Sequence, residues 1–478
     1  MTDQDICFST ISELSTRIAS RDLSPVELTT AFLDRIEQLE PQYNAYIEVC
    51  AERAMAEARA AELEIMSSGP RSPLHGVPLA VKDIVDVREL PTTCGSAVLA
   101  NNVAHADATV AQRLASAGAI LLGKLNMNEF ATLVPSEHFG PTINPWSAKH
   151  SPGGSSSGSG VAVAAGLCAA ALGTDTGGSI RIPSTFCGIT GLKATFGRVS
   201  VNGVVPLAWS LDHIGPMART AHDASLLLDT LAGYDPADLA SKDVPFSSAS
   251  DLQSSAINDL SDLKIAVATN FFTKMTDPEV QEAMDQALDV LRGRGAHLEE
   301  IVLPDLSQAW QIADAIIQAE ATTWHAQHLV QRAEKYGPKV HKYLQRGQAI
   351  TAQDYVDARG AKARLKRDVL NALDGYHALI TPGSLIPAPP LDARAVIINN
   401  LEINLVQAIV SATCPFNLTG QPVLSIPCGL SRAGLPLGIQ IVAQPWQEQC
   451  ALRIGQSFQS VTSWHLSKPE IRNNGNGI

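Results

Sequence analysis

The sequence predicts an α/β protein: a large mixed, mostly covered β-sheet surrounded by helices, with an N-terminal helical arm. Three observations carry that expectation. Short apolar runs of strand length, at residues 76–82, 120–124, 263–268, 378–382 and 423–427, recur between segments of helical spacing, the pattern of a sheet covered on both faces. Residues 263–302 read strand, helix, strand, a βαβ-like unit. The 478 residues are 45% apolar and only 17% charged, so the chain can bury a large core.

The elements follow in order. Ser24, Pro25 and Glu27 form a helix start, with Ser24 as cap, Pro25 in the first turn and Glu27 closing a capping box. Helical spacing then runs to about residue 66, broken once at Pro41, and residues 67–70 end the arm. A buried strand ending in charge is expected at 76–83, a helix at 108–119 and a strand at 120–124. Residues 161–172 are small and apolar all round, which predicts one completely buried helix. A helix follows Asp223, then a polar Ser/Asp-rich loop over about 235–262. Residues 278–294 are helical, 297–302 a strand and 307–373 mostly helical. The early and late strands are expected to share one sheet. Residues 1–70 therefore read as an arm packed on the core, and residues 71–472 as a single α/β domain with a less typical segment over about 235–375. No internal repeat is visible, and the Asn-rich tail after Arg472 is expected to fray.

Composition excludes some functions. A net charge of −13 argues against nucleic acid as a bulk partner, because phosphate binding needs clustered Lys and Arg. The eight cysteines form no C-x-x-C pair, so reduced buried thiols are expected. The acidic start Met1 to Asp5 lacks an apolar signal-peptide region, and 161–172 is too short to span a bilayer. These features predict a cytoplasmic protein with no membrane partner. No Cys/His cluster has metal-ligand spacing.

Chemistry concentrates in two Gly/Ser patches, 153–160 and 173–181, that flank the apolar run. Glycine lets backbone approach a ligand, consecutive N–H groups make an anion-binding concavity, and serine adds a hydroxyl. The first patch has a linker's composition, yet it feeds directly into apolar sequence. It lacks the lysine of a P-loop. Gly154 to Gly158 spells G-x-S-x-G around Ser156, but the turn at 149–152 precedes it instead of the strand a nucleophile elbow needs. Lys82 follows four apolar residues. A strand-end lysine is usually solvated; one drawn into an apolar site loses its charge and becomes a base. His325 and His328 share a helix face without the glutamate of a zinc-protease motif, which predicts a surface helix. His138 and His150 flank the Gly/Ser region and are candidates for its entrance.

Taken in order, residues 76–83, 152–156, 173–184, 191–193, 197–200, 210–212 and 215–217 resemble the amidase signature family, over about residues 23–458. The resemblance implies that family's fold and a Ser-cisSer-Lys triad: Ser179 as nucleophile, Ser155 as bridging serine after a cis peptide, and Lys82 as base. It also implies an oxyanion hole of the backbone N–H groups of Thr176, Gly177, Gly178 and Ser179. The family's acyl-pocket loop corresponds to 132–138, so Leu133, Val134, Ser136 and His138, together with Ser156, are substrate-binding candidates. That loop looks shorter than usual, and Ser157, Gly160 and Ala194 depart from the pattern. The implied activity is cleavage of carboxamide C–N bonds through a seryl acyl-enzyme, giving a carboxylic acid plus amine or ammonia, with esters and carbamates as side substrates. No cofactor or metal is implied, and the expected partner is a small-molecule amide, with a homodimer left open. The alternative is the A subunit of a tRNA-dependent glutamine amidotransferase, which releases ammonia from glutamine and needs partner subunits. Residues 414–422 look more like the hydrolases. A silent binding module is disfavoured because all three triad positions are filled. The 5% aromatic content hints at an aliphatic pocket.

Overall fold

The computed structural model describes residues 6–246 and 257–470. Thirteen strands are present among the described residues: β1 Tyr46–Val49, β2 Pro78–Lys82, β3 Ile120–Leu125, β4 Ala170–Asp175, β5 Thr190–Lys193, β6 His213–Ala218 and β7 Lys264–Ala268 come first. β8 His297–Ile301, β9 Ala378–Pro382, β10 Ala395–Ile398, β11 Leu401–Asn404, β12 Val423–Leu430 and β13 Pro436–Ala443 follow. Eleven of them form one sheet in the order β1-β3-β2-β4-β6-β5-β12-β13-β9-β7-β8, and β10 and β11 form a separate hairpin. The sheet is mixed. β2 runs parallel to β3 and β4, and β7 parallel to β8 and β9, while the centre is antiparallel.

Strand order explains why the sequence divides poorly. β5 and β12 are neighbours across nearly half the chain, and β7 and β8 of the atypical segment extend the same sheet through β9. Every residue of β2, β4, β6, β9 and β13 is buried, as expected of strands covered by helices on both faces. β8 lies at an edge and is mostly exposed, with Glu299 and Glu300 facing water, which discourages pairing with another chain.

Several expectations need correction. Residues 161–172 are not one helix. A helix over Ser157–Ala165 ends at Gly166 in the left-handed region (φ 71°), and β4 begins at Ala170. Periodicity alone does not separate a buried helix from a buried strand; Gly166 is the stop signal. The arm helix Pro25–Tyr43 starts with the expected capping box, but it runs through Pro41 and ends at Asn44 (φ 49°). Pro41 lies in the last turns, where one lost hydrogen bond is tolerable. The arm then contributes β1, an edge strand that helical spacing does not reveal. His325 is buried instead of surface-facing; its Nδ1 lies 2.7 Å from the Tyr336 hydroxyl, and its ring packs edge-on to Phe130. The tail after Arg472 and the N-terminal Met1 to Asp5 lie outside the described residues.

The sheet delivers the site. β2 and β4 are parallel neighbours with Val81 opposite Leu172. Their carboxyl ends therefore set Lys82 beside residues 173–175, the place where parallel α/β sheets present chemistry. The arm is tied to this region through β1 and β3, where Gly123 allows close approach: a Cβ there would lie 2.1 Å from the Glu48 carbonyl oxygen. Gly123→Ala should destabilise the fold by about 1–3 kcal/mol through overpacking, read as a lower urea midpoint at unchanged slope; an unchanged midpoint would show that β1 is not held there.

Candidate active site

Lys82 is completely buried at the end of β2. Its Nζ lies 2.8 Å from Ser155 Oγ and 2.7 Å from Thr174 Oγ1, and no carboxylate pairs with it among the described residues. Burial pulls its pKa down to about 7, against the opposing pull of Asp175, Asp212 and Cys94. The neighbouring Lys124 on β3 is a useful contrast. It is equally buried, but its Nζ sits 2.8 Å from Asp83 Oδ1 and donates to the Pro91 carbonyl and Thr92 Oγ1. Lys124 is a paired structural charge, whereas Lys82 faces hydroxyls.

Ser155 follows a cis peptide bond from Gly154 and is fully buried. A side chain at 154 would collide with Asn128, whose Nδ2 would stand 2.4 Å from the added Cβ. The Asn128 N–H donates to the Ser155 carbonyl (3.1 Å), fixing the turn from the other side. Ser156 is fully buried. Its Oγ donates to the Thr174 carbonyl and accepts from the Thr174 N–H, both at 3.2 Å. It pins the first Gly/Ser patch to β4.

The second patch forms a clamped loop. The N–H groups of Thr176, Gly177, Gly178 and Ser179 have no acceptor among the described residues. Groups on every side hold the loop. Asp175 accepts from the Ile180 N–H, from Arg181 Nε and Nη2 (both 2.9 Å) and from Asn417 Nδ2 (2.8 Å). Arg181, itself fully buried, donates onward to the Thr413 carbonyl, Gln440 Oε1 and Asn417 Oδ1. Burial alone would raise the Asp175 carboxyl, but Arg181, Lys193 and Asn417 outweigh it and hold it far below the usual carboxylate range. Thr413 Oγ1 donates to the Gly177 carbonyl (2.6 Å). Gly178 is required: its φ is 139°, and a Cβ would stand 2.3 Å from Thr413 Oγ1. Ser179 is 6% exposed and borders a cavity, and its carbonyl accepts from the Ser156 N–H at 3.4 Å, so the two patches touch.

That cavity holds about 530 Å³. Leu133 and Val134 line it with Thr176, Gly177 and Ser179. Ser136 and His138 do not: Ser136 Oγ accepts from the Phe139 N–H to close a turn, and His138 is exposed and stacks edge-on to Phe139. His150 does not line it either, since its ring hydrogen-bonds Ser147. Sequence reasoning missed the opposite wall. Trp310, Asp314 and Ile317 come from the helix Ala309–Gln331, and Lys339, Lys342, Tyr343 and Arg346 from the helix Pro338–Gly347. Trp310 reaches to 3.9 Å of where a Gly177 Cβ would stand. The three cations recur at i, i+3 and i+7, one helix face, which is a readable signal. The pocket thus joins apolar side chains, Trp310 among them, with a cationic face of Lys339, Lys342 and Arg346. Asp314 is the single acid lining it, accepting from the Tyr343 hydroxyl (2.9 Å) and Gln318 Nε2 (2.6 Å), with its carboxyl raised by burial. No group of three or more His, Cys, Asp or Glu suited to a metal ion occurs among the described residues, and no described helix is long and apolar enough to cross a membrane.

The family model for Amidase matches residues 27–452, and the chain belongs to the amidase signature family, enzymes of amide C–N bonds. The A subunit of the glutamyl-tRNA(Gln) amidotransferase of Geobacter metallireducens is 38% identical over 97% of this chain and 99% of its own length. The protein of the same name from a Roseiflexus species is 39% identical over 97% and 98%. A solved structure described as a vestigial protein complex revealing the origins of an s-triazine catabolic enzyme matches with a TM-score of 0.89 at 32% identity, covering 95% of this chain and 98% of its own.

These relatives overturn the expected partners. A small-molecule amide alone, without nucleic acid and with at most a second copy of the chain, is contradicted, because the sequence relatives are named for a tRNA and as one component of a larger enzyme. The physical reason is that a net charge of −13 describes this chain's own surface. It does not report on RNA held elsewhere in an assembly. Within residues 414–422, Asn417, with Thr413 just before the segment, clamps the 175–181 loop.

The clamp yields a prediction. Arg181→Met leaves the Asp175 carboxylate buried without its partner and should cost about 3–5 kcal/mol, measured by denaturant unfolding. Wild-type stability in that variant would mean that the pair does not hold the loop.

Proposed function

We propose that this chain is the amide-cleaving component of an amidotransferase-type assembly: it hydrolyses the side-chain amide of glutamine through an acyl-enzyme on Ser179, and the ammonia passes to a partner protein that works on an acyl-tRNA. The carrying observation is the fully buried Lys82 with its Nζ 2.8 Å from Ser155 Oγ and no carboxylate partner. In this reading the Ser179 hydroxyl attacks the amide carbon. Its proton moves to Ser155 Oγ as the Ser155 proton moves to neutral Lys82 Nζ. The N–H groups of Thr176 to Ser179 stabilise the oxyanion that forms. The relay then reverses: the proton returns through Ser155 to the departing nitrogen, the C–N bond breaks and ammonia leaves. Water, deprotonated by the same relay, cleaves the ester to release glutamate.

Two observations favour this over a hydrolase acting alone. Similarity to the amidotransferase relatives covers essentially both full lengths, and the s-triazine relative is likewise described as part of a complex. The cavity carries Lys339, Lys342 and Arg346, suited to the α-carboxylate of glutamine.

Three outcomes test it. Glutamine should be preferred over butyramide, which lacks the α-carboxylate, and more strongly when partner proteins are co-expressed; equal or better turnover of butyramide would contradict the assignment. Lys82→Ala should lower kcat/KM by about 10²–10⁴-fold, measured by ammonia release. Because the lysine acts in its neutral form, kcat/KM should rise with pH through a midpoint near the Lys82 value of about 7 and fall away below it. A profile flat from pH 5 to 8 would rule out a titrating lysine base.

A further inference from the structure

The segment Ser210 to Asp212 is among those that carry the family resemblance, yet the chemistry above gives it no part. Its geometry does. The Asp212 carboxylate accepts from the Thr176 hydroxyl at 2.6 Å through Oδ1, and from the Leu207 and Ala208 N–H groups, both at 3.0 Å, through Oδ2. Thr176 is the first residue of the run of unsatisfied N–H groups, and its side chain is otherwise unengaged in the described contacts. Leu207 and Thr176 both line the catalytic cavity. Asp212 therefore ties one cavity wall to the first residue of the 176–179 loop. The opposite end of the 207–212 turn is also anchored: Glu320 on the helix Ala309–Gln331 accepts from the Ser210 N–H (3.0 Å), and Lys362 Nζ donates to the Ser210 carbonyl (2.7 Å). The turn is held at both ends, and Asp212 is its only charged contact with the loop among the described residues.

We propose that Asp212 is a positioning residue of the amide-cleaving site: as a carboxylate it orients Thr176, and through Thr176 the backbone N–H groups that receive the oxyanion. This rests on the oxyanion role given above to residues 176–179. Three donors converge on the two Asp212 oxygens, so the geometry needs a group that only accepts. A protonated carboxyl or an asparagine must place a donor where one of these donors already stands. Asparagine at 212 can keep the Leu207 and Ala208 bonds only by turning its Nδ2 toward Thr176, which reverses that hydroxyl and replaces a short charged bond with a weaker neutral one.

The charged surroundings set the pH behaviour. Glu320 from the helix and Lys82 from β2 act on Asp212, and its chain neighbour His213 in turn meets Lys193 of β5 and Asp175 of β4. Burial first, helped by Glu320, pushes the Asp212 carboxyl up to about 6 despite the bonds from Thr176, Ala208 and Leu207. Burial lowers the pKa of both His213 and Lys193, which weakens them as counter-charges. Protonation of Asp212 just below the Lys82 midpoint should therefore loosen the same loop that Lys82 serves. In turn, the negative charge of Asp212 supports the protonated form of Lys82.

The test uses the full chain. Asp212→Asn should lower kcat by about 10- to 100-fold, the cost of a misaligned oxyanion site, with KM nearly unchanged. Thr176→Val should cost about as much, and the double variant no more than either alone, because both act through one contact. Thr176→Ser, which keeps the donor, should recover most of that loss. The pH profile separates positioning from general stability. Wild-type log kcat/KM should fall with unit slope just below the Lys82 midpoint and steepen toward two below about pH 6. Asp212→Asn should keep unit slope throughout, with its midpoint moved to lower pH. If Asp212→Asn does not fold, the Thr176→Val and Thr176→Ser pair carries the same comparison. Full turnover in Asp212→Asn or Thr176→Val, a loss confined to KM, or additive losses in the double variant would overturn the proposal. If instead Lys82→Ala also retains turnover, the amide-cleavage reading itself has failed, which is a different result.

Discussion

The site depends on one constraint: an amine is sealed away from water without a carboxylate beside it. Three lysines, Lys82, Lys124 and Lys193, are fully buried among the described residues. Lys124 is neutralised by Asp83. Lys193 donates to the carbonyls of Gln421 and Ala194, lies 3.4 Å from His213 Nε2, and is driven well below its ordinary pKa by burial and by Arg181. Lys82, at the carboxyl end of a parallel strand pair, meets serine and threonine hydroxyls with no carboxylate partner among the described residues. Burying a lysine disfavours its charged form. A neutral amine within hydrogen-bond distance of a hydroxyl is a base in waiting, and the same amine paired with aspartate would not be.

In the proposed mechanism a base alone does not suffice; the 176–179 loop must keep its N–H groups unsatisfied and still. Here the side chains supply the stillness. Asp175, Arg181, Asn417, Gln440 and Thr413 form one buried network in which nearly every donor of Arg181 finds an acceptor. Such a network adds little net stability compared with a packed apolar core, but it is severe on alternatives, because each displaced partner leaves a buried charge uncompensated. The loop backbone can then keep its four N–H groups without a protein acceptor among the described residues, beside the cavity that Thr176, Gly177 and Ser179 line.

Much of this is legible in the sequence, and the illegible part has a common cause. Lys82, the 153–160 patch and the 173–181 patch stand out because local composition is itself the signal: glycines where backbones touch, serines where hydroxyls are needed. Apolar runs reveal β2, β3, β7, β9 and β12, but the middle of the sheet is less legible: β4 begins inside the apolar run 161–172 that reads as helix, and β13 is not anticipated. The far wall of the cavity is not, because Trp310 and Lys342 meet Ser179 only through tertiary packing, and a helical segment looks the same whether or not it faces a ligand. Strands β5 and β6 are short and glycine-containing, so no long β-branched run announces them. The partner expectation failed for a different reason. Net charge and composition are properties of one chain, and they carry no information about the assembly that a surface joins.

The most direct measurement is the ionisation of Lys82 itself. In protein labelled with 13C at lysine Cε, the Lys82 resonance, assigned by its disappearance in Lys82→Arg, should titrate with a midpoint near 7, well separated from the exposed lysines. A Lys82 resonance that stays in the ammonium position up to about pH 10, the ordinary lysine value, would contradict the claim that burial without a counter-ion makes this amine the base.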